Sequence, residues 1–331
     1  GAVMHTLNFR LHPEQLVYVI NHAEDKIIFV ESPFIPLLEA IKDQISNVKE
    51  FVVLCDKDEV PSSSLENVIS YEEFIEDGDE NFIWPQIDED AACGLCYTSG
   101  TTGNPKGVLY SHKSNTLHAL TAISSLDVNS SDVILMVVPM FHVNAWSIPF
   151  YAPLVGLKIV MPGMQMEGKP LYDLIDSENV TFAFGVPTVW MGLLGYCKSE
   201  NLLLKSIKKT VIGGSALSLS LLKDLHETHD IDVIQGWGMT ETSPLGTTNL
   251  VTPEMKSMPK EEMYNLQLKQ GRACYGVELK IVDDSGNDLP HNGESQGHLL
   301  IRGPWVVKRY FKAEKDAIDA NGWFDTGDIS T

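Results

Sequence analysis

Tyr97-Thr-Ser-Gly-Thr-Thr-Gly-Asn-Pro-Lys-Gly-Val108 is the stretch on which the reading of this chain turns. It packs hydroxyls, glycines and one lysine between two apolar segments. Ser99, Thr101 and Thr102 offer hydroxyl donors, and Gly100, Gly103 and Gly107 let the backbone turn its N–H groups toward a ligand. Lys106 adds a positive charge, and the combination suits a polyphosphate. No Gly-x-x-x-x-Gly-Lys-Ser/Thr can be threaded through the stretch, so it is not a Walker loop. A surface loop rich in small residues has the same composition, and the loop by itself leaves both readings open.

On either side of the loop the pattern is that of an α/β protein. Ala92–Tyr97 is a short apolar run that predicts a buried strand feeding the loop, and 111–124 has helical periodicity after it. Upstream, a helix at Pro13–Ala23, a strand at 26–30, a helix at 36–45 and a strand at 50–54 alternate in a doubly wound pattern. A polar, turn-rich connection with a short helix near 71–75 leads back to Ala92. Downstream, 134–139, 158–161 and Phe182–Gly185 are expected strands. The strand 210–212 exits at Gly213-Gly-Ser215, the kind of strand-to-turn position where α/β folds bind ligands. A helix over 217–229 and a strand over 232–235 follow. From Gly271 the pattern changes to short strands at Glu278–Val282 and 298–301 with Asp284-Ser-Gly and His291-Asn-Gly turns, which predicts a small antiparallel β subdomain. The expected division is thus an α/β core over 1–270 and a β-rich part over 271–331.

Composition narrows the function. The 331 residues are 44% hydrophobic and 21% charged, a globular rather than disordered balance. A formal net charge of −21, from 45 acidic against 24 basic side chains, argues against nonspecific nucleic-acid or anionic-membrane binding. Acidic residues concentrate in 66–89, which is expected to be a solvated face. A protein this negative that binds a polyphosphate needs local positive groups, which gives Lys106 more weight. The five cysteines form no small-scaffold pattern. Cys93-Gly-Leu-Cys96 is a lone pair on an expected strand, whereas structural zinc takes four ligands, so a structural role is the better reading. No signal peptide, membrane span or lipidation signal is visible, which favours a cytoplasmic setting.

Three further blocks follow the loop: Met136-Val-Val-Pro-Met-Phe-His-Val-Asn-Ala-Trp146, Gly236-Trp-Gly-Met-Thr-Glu-Thr-Ser-Pro244 and Gly322-Trp-Phe-Asp-Thr-Gly-Asp328. Together and in this order they resemble the adenylate-forming enzymes, the superfamily of acyl-CoA synthetases, peptide-synthetase adenylation domains and firefly luciferases. The resemblance covers essentially the whole chain and is closest to the bacterial medium-chain fatty-acyl-CoA ligases. It implies the large adenylation-domain core with doubly wound sheets and a smaller β-rich subdomain. It also implies that the start of the large domain and the C-terminal mobile domain, with a lysine needed for adenylation, lie outside this chain. On that basis the chain alone is expected to bind ATP or AMP weakly and to turn over poorly.

The resemblance further implies ATP, Mg²⁺ and CoA as the cofactor and co-substrates of a two-step ligase. Thr98, Ser99, Gly100, Thr101, Thr102, Gly103 and Lys106 would cradle the β- and γ-phosphates. Thr240 would hydrogen-bond the α-phosphate and Glu241 would bring the metal. Gly213, Gly214, Ser215 and Ala216 are small enough for a purine to lie against backbone, with Gly236, Trp237, Gly238 and Met239 completing the nucleotide site. Trp237 stands where relatives usually carry Tyr, which keeps the stacking face and loses a hydroxyl. Asp328 would accept from both ribose hydroxyls. His142 would lie near the reacting carboxylate and the thiol approach, and Trp146, Val186, Gly214 and Gly238 would line the acyl site. By itself each has a plainer reading: Glu241 as an exposed helix-start residue, Asp328 as a turn residue after Gly327, His142 as a hydrogen-bonded core histidine, and the aromatic segments as core packing. The acid could be a medium-chain fatty acid or another small carboxylate, aryl, branched or sulfur-containing, and a noncatalytic nucleotide-binding module is the alternative of another class. Family members are often homodimers, but no stretch of this sequence identifies an interface.

Overall fold

Pro13 occupies the first turn of helix Pro13–Ala23, where its missing N–H removes no helical bond, and Glu24 ends the helix in the left-handed conformation. Leu16, Val19 and Ile20 form the buried stripe of this helix and join Ile28, Val30, Phe51 and Val53 in one apolar cluster. The strands Ile27–Val30, Glu50–Val53 and Val68–Ser70 form a parallel sheet. Burial alternates along the first of these, with Ile28 and Val30 inside and Ile27 and Phe29 exposed. In this computed structural model residues 1–98 and 103–331 are described. They divide into two compact units, Gly1–Leu109 and Tyr110–Thr331.

The helix expected at 36–45 is interrupted. A turn at Ser32–Phe34 leads into a short α-helix, Ile35–Glu39, and a tighter turn follows at Lys42–Gln44. Ile41 takes φ −120°, which breaks the helical ladder while Ile35, Leu38, Ile41 and Ile45 all stay buried. A second three-stranded sheet in this part of the chain runs in the order Met4–His5, Ala92–Tyr97, Gly107–Ser111. Cys93 and Cys96 lie on its central strand and are not joined in a disulfide. Residues 71–90 are exposed throughout, a solvated acidic stretch.

The second unit is built on a seven-stranded sheet. Its order is Arg272–Ala273, Leu245–Asn249, Asp232–Gly238, Lys209–Ile212, Phe182–Gly185, Val133–Met136, Lys158–Val160. The last five pair in parallel and the first two add antiparallel. Both faces carry helices, as the burial of all four residues of Phe182–Gly185 requires. Ala183 packs with Leu171 and Ile175 of helix Gly168–Glu178 and with Trp190, Leu193 and Leu194 of Pro187–Glu200. Phe184 lies 6.4 Å from the ring of Tyr151, on helix Ile148–Val155. The helix after the loop is His112–Ser125, started by a reciprocal Ser111–Ser114 capping box. The helix expected over 217–229 is α-helical only over Leu219–Lys223 and widens into a π-helical turn at Asp224–Thr228. Glu278–Val282, Gly297–Arg302 and Phe324–Ser330 form a separate antiparallel sheet. Among the described residues no helix is long and apolar enough to cross a membrane.

Candidate functional site

The phosphate-loop candidates lie in the first unit. Ser99, Gly100, Thr101 and Thr102 fall outside the described residues. The two ends of the loop are clasped: the Thr98 N–H donates to the Lys106 carbonyl at 2.9 Å, and the Lys106 N–H donates to Thr98 Oγ1 at 3.0 Å. Gly103 takes φ +152°, with open space where a Cβ would stand, and the Lys106 residue is exposed. The strand that leads into the loop is fixed at Tyr97, whose hydroxyl shares a hydrogen bond of 2.7 Å with His22 Nδ1. Burial holds the Tyr97 phenol well above its usual range, so it remains an O–H.

The other candidates belong to the second unit, and several converge at the ends of its parallel strands. Gly213 and Gly214 follow strand Lys209–Ile212. A Cβ on Gly213 would stand 2.9 Å from the Gly236 carbonyl oxygen and 3.3 Å from Trp146 Cη2. One on Gly214, at φ +76°, would meet Val186 Cγ1 at 3.2 Å and Trp146 Cζ2 at 3.8 Å. Glycine is therefore needed at both positions, and Trp146, Val186 and Gly236 surround the same turn. Gly214, Ser215 and Ala216 are exposed, as a surface that receives a ligand must be.

Trp146 reaches this turn from an unusual backbone. Val143, Asn144, Ala145, Trp146 and Ser147 all have positive φ, from 39° to 67°. His142 immediately precedes this left-handed run and is exposed rather than buried in the core. Its apolar flanks suggest a core histidine, but Phe141 and Val143 take the buried positions instead.

Strand Asp232–Gly238 carries Gly236, Trp237 and Gly238. The pairing with Leu245–Asn249 shifts register between Trp237 and Gly238, and a Cβ on Gly238 would overlap the Pro244 carbonyl. Trp237 lies against Gly246, where a Cβ would come within 2.4 Å of its Cζ3. The Trp237 indole N–H donates to Asp328 Oδ2 at 2.9 Å, joining segments that are 91 residues apart. Asp328 itself is exposed on strand Phe324–Ser330.

Glu241 is not the exposed helix-start residue that its local sequence suggests. It sits in the turn Thr240–Thr242 at 6% exposure, and its Oε1 accepts from the Tyr310 hydroxyl at 2.6 Å. Burial first, and then this bond to a carboxylate, raise the Tyr310 phenol well above its usual range. The backbone of the block is anchored at several points. Tyr110 donates to the Thr240 carbonyl at 2.8 Å, the Val307 N–H donates to the Glu241 carbonyl at 2.8 Å, and Met239 N–H donates to Thr242 Oγ1 at 2.9 Å. His118 Nε2 accepts from the Leu245 N–H at 3.1 Å, and the Trp305 indole donates to the Leu245 carbonyl at 3.0 Å. Burial pushes the His118 imidazole down to about 3, so it is neutral.

Tyr110, His118, Trp305 and Tyr310 are supports that the sequence reading missed. Each reaches the block with a single polar tip across 60 or more residues, for example 130 for Tyr110 and 69 for Tyr310. Local spacing carries no signal of such contacts.

A family model described as AMP-binding enzyme matches residues 1–311. The 3-methylmercaptopropionyl-CoA ligase of Ruegeria lacuscaerulensis is 48% identical, over 100% of this chain and 62% of its own length. The medium-chain-fatty-acid–CoA ligase of Ectopseudomonas oleovorans is 46% identical, over 100% of this chain and 61% of its own. The chain thus spans about three fifths of the length of these curated relatives. Among solved structures, an anthranilate CoA ligase in complex with anthranoyl-AMP matches 99% of this chain and 61% of its own, with a TM-score of 0.85 at 25% identity. The chain belongs to the family of AMP-binding enzymes.

Proposed function

We propose that the protein carrying this chain is an AMP-forming acid–thiol ligase that converts a medium-chain fatty acid to its CoA thioester. The observation that carries the reading is the Trp237–Asp328 bond, which sets an aromatic face beside a hydroxyl-accepting carboxylate, the two elements a nucleoside needs. In the first step a carboxylate oxygen attacks the α-phosphorus of ATP and pyrophosphate leaves. In the second the CoA sulfur attacks the acyl carbon, AMP departs and the thiol proton is lost.

The residues divide this work. In the first unit loop residues 98–106 are assigned to the β- and γ-phosphates, and in the second Thr240 is assigned to the α-phosphate. Residues 213–216, with Trp237, receive the adenine, and Asp328 receives the ribose hydroxyls. His142 stands at the reacting carboxylate, and Trp146 with Val186 bounds the tail. An apolar tail gains about 0.8 kcal/mol per buried methylene, enough to rank chain lengths but not to exclude neighbours.

Mg²⁺ fits the carboxylate chemistry of Glu241. The carboxylate is buried and is held through Oε1 by the Tyr310 hydroxyl. Among the described residues there is no cluster of three or more acidic, histidine or cysteine side chains that could hold a metal. A single carboxylate that shares the ion with substrate phosphates is the usual magnesium arrangement. When bound, the ion would neutralise phosphate charge.

A second reading is a ligase for a sulfur-containing propionate, favoured by the 48% identity to a 3-methylmercaptopropionyl-CoA ligase. AMP release by the full-length polypeptide decides between them, with ATP, Mg²⁺, acids from acetate to palmitate and 3-methylmercaptopropionate, each with and without CoA. A maximum at intermediate chain length supports the first reading, and a maximum with the thioether acid the second. ATP binding without AMP release for any acid would overturn both.

A further inference from the structure

We infer that the Trp237 indole N–H is the positioning group for the Asp328 carboxylate, and that this contact, seated on Gly246, couples recognition of the base to recognition of the sugar. The inference rests on the nucleotide site proposed above. It adds a function for Trp237 that an aromatic stacking face alone does not supply.

Asp328 needs such a partner. It is exposed, it follows Gly327 at φ +75°, and its backbone is tied by a bond of 3.1 Å from its N–H to Thr326 Oγ1. A solvated side chain on such a bend samples several rotamers, and ordering it on binding costs conformational entropy. The indole donor at 2.9 Å removes that freedom beforehand. It occupies one lone pair on Oδ2, and the carboxylate keeps acceptor capacity on both oxygens for hydroxyl groups.

The donor is itself held in place. The ring lies so close to Gly246 that a Cβ there would stand 2.4 Å from Cζ3 and 2.7 Å from Cε3. Trp237 and Thr247 are partners across the strand pair, which fixes the backbone from which the indole projects. Glycine at 246 and tryptophan at 237 therefore form one unit that aims an N–H at Asp328. Phenylalanine at 237 would keep a ring for the base and lose that hydrogen.

The test uses the full-length polypeptide and measures affinity for AMP and for 2′,3′-dideoxy-AMP by calorimetry. Trp237→Phe is expected to weaken AMP roughly three- to tenfold, the loss of one hydrogen bond to a charged group. Dideoxy-AMP binding should stay unchanged. Asp328→Ala should remove the preference for AMP, and adding Trp237→Phe to it should cost nothing more. Gly246→Ala should displace the whole ring and weaken both nucleotides, AMP the more. In the ligand-free protein, the indole N–H resonance of Trp237 should shift in Asp328→Ala. Equal weakening of both nucleotides by Trp237→Phe, or additive losses in the double variant, would show that the ring acts by stacking alone and overturn the inference. Failure of the underlying site has a different signature: wild-type protein that does not bind AMP, or binds both nucleotides equally, removes the nucleotide reading and this inference with it.

Discussion

Glu241 and Asp328 each accept a hydrogen bond from an aromatic side chain, yet they stand in opposite surroundings. Glu241 is buried at 6% exposure and receives the Tyr310 hydroxyl at 2.6 Å, whereas Asp328 is exposed and receives the Trp237 indole at 2.9 Å. Water can replace a lost donor at Asp328 but not at Glu241, so the same kind of contact serves stability in one place and geometry in the other. Buried, it supplies a hydrogen bond that solvent does not replace. Exposed, it holds a direction.

The contrast breaks first at Tyr310. Tyr310→Phe leaves the Glu241 carboxylate buried without its donor and is expected to destabilise the protein by about 2–3 kcal/mol. Urea unfolding measures this as a lower midpoint at unchanged slope, and a loss below about 0.5 kcal/mol would show that solvent reaches Glu241 after all.

A somewhat smaller, pH-dependent effect is expected at His118, which holds the backbone next to the same turn. Its folded value, about 3, lies below the ordinary 6.5 because burial disfavours the cation. The unfolded chain therefore binds the proton more readily, and the stability due to neutral His118 is complete above pH 6.5 and is lost as pH falls toward 3. The loss runs at about 1.4 kcal/mol per pH unit and reaches roughly 2 kcal/mol by pH 5. In His118→Gln, which can still accept from Leu245, this slope should vanish. The stability gap between variant and wild type, measured by thermal unfolding from pH 7 to pH 5, should shift in favour of the variant, and a constant gap would contradict a neutral buried imidazole.

The smallest effect is expected at Trp237. Trp237→Phe should change unfolding free energy by less than about 0.5 kcal/mol from loss of the Asp328 bond, because both the carboxylate and the donor position are open to water. A loss near that of Tyr310→Phe, in the same urea measurement, would erase the distinction between the two carboxylates.

Much of the architecture was legible because many of the strands are short apolar runs. Phe182–Gly185 and Ala92–Tyr97 coincide with the expected strands, and Val133–Met136, Lys158–Val160 and Lys209–Ile212 differ only at their ends. Leu245–Asn249 was not legible, since Leu-Gly-Thr-Thr-Asn has one large apolar residue and becomes a strand by pairing with Asp232–Gly238. The interruption of the helix at 36–45 and the π-helical turn after Lys223 were not legible either, since both stretches read as continuous helix. At the site, small residues were informative: Gly213, Gly214 and Gly238 are where a Cβ cannot stand. Long-range partners were not. Nothing near Glu241 in the chain announces Tyr310, and the plain reading of Glu241 as exposed fails for that reason.

The left-handed run from Val143 to Ser147 has a consequence for how such a protein can diversify. Each L-residue held there costs on the order of 1–2 kcal/mol, with asparagine and glycine tolerated best. Substitutions around Trp146 are therefore filtered by the backbone before any change in what the side chain touches can matter. Val186 is under no such restraint: it caps helix Pro187–Glu200 in an ordinary extended conformation, φ −78° and ψ 155°, and its Cγ1 already borders the Gly214 turn. Of the two side chains that meet at that turn, the variable one across descendants of this sequence is expected to be 186, while 146 stays as it is.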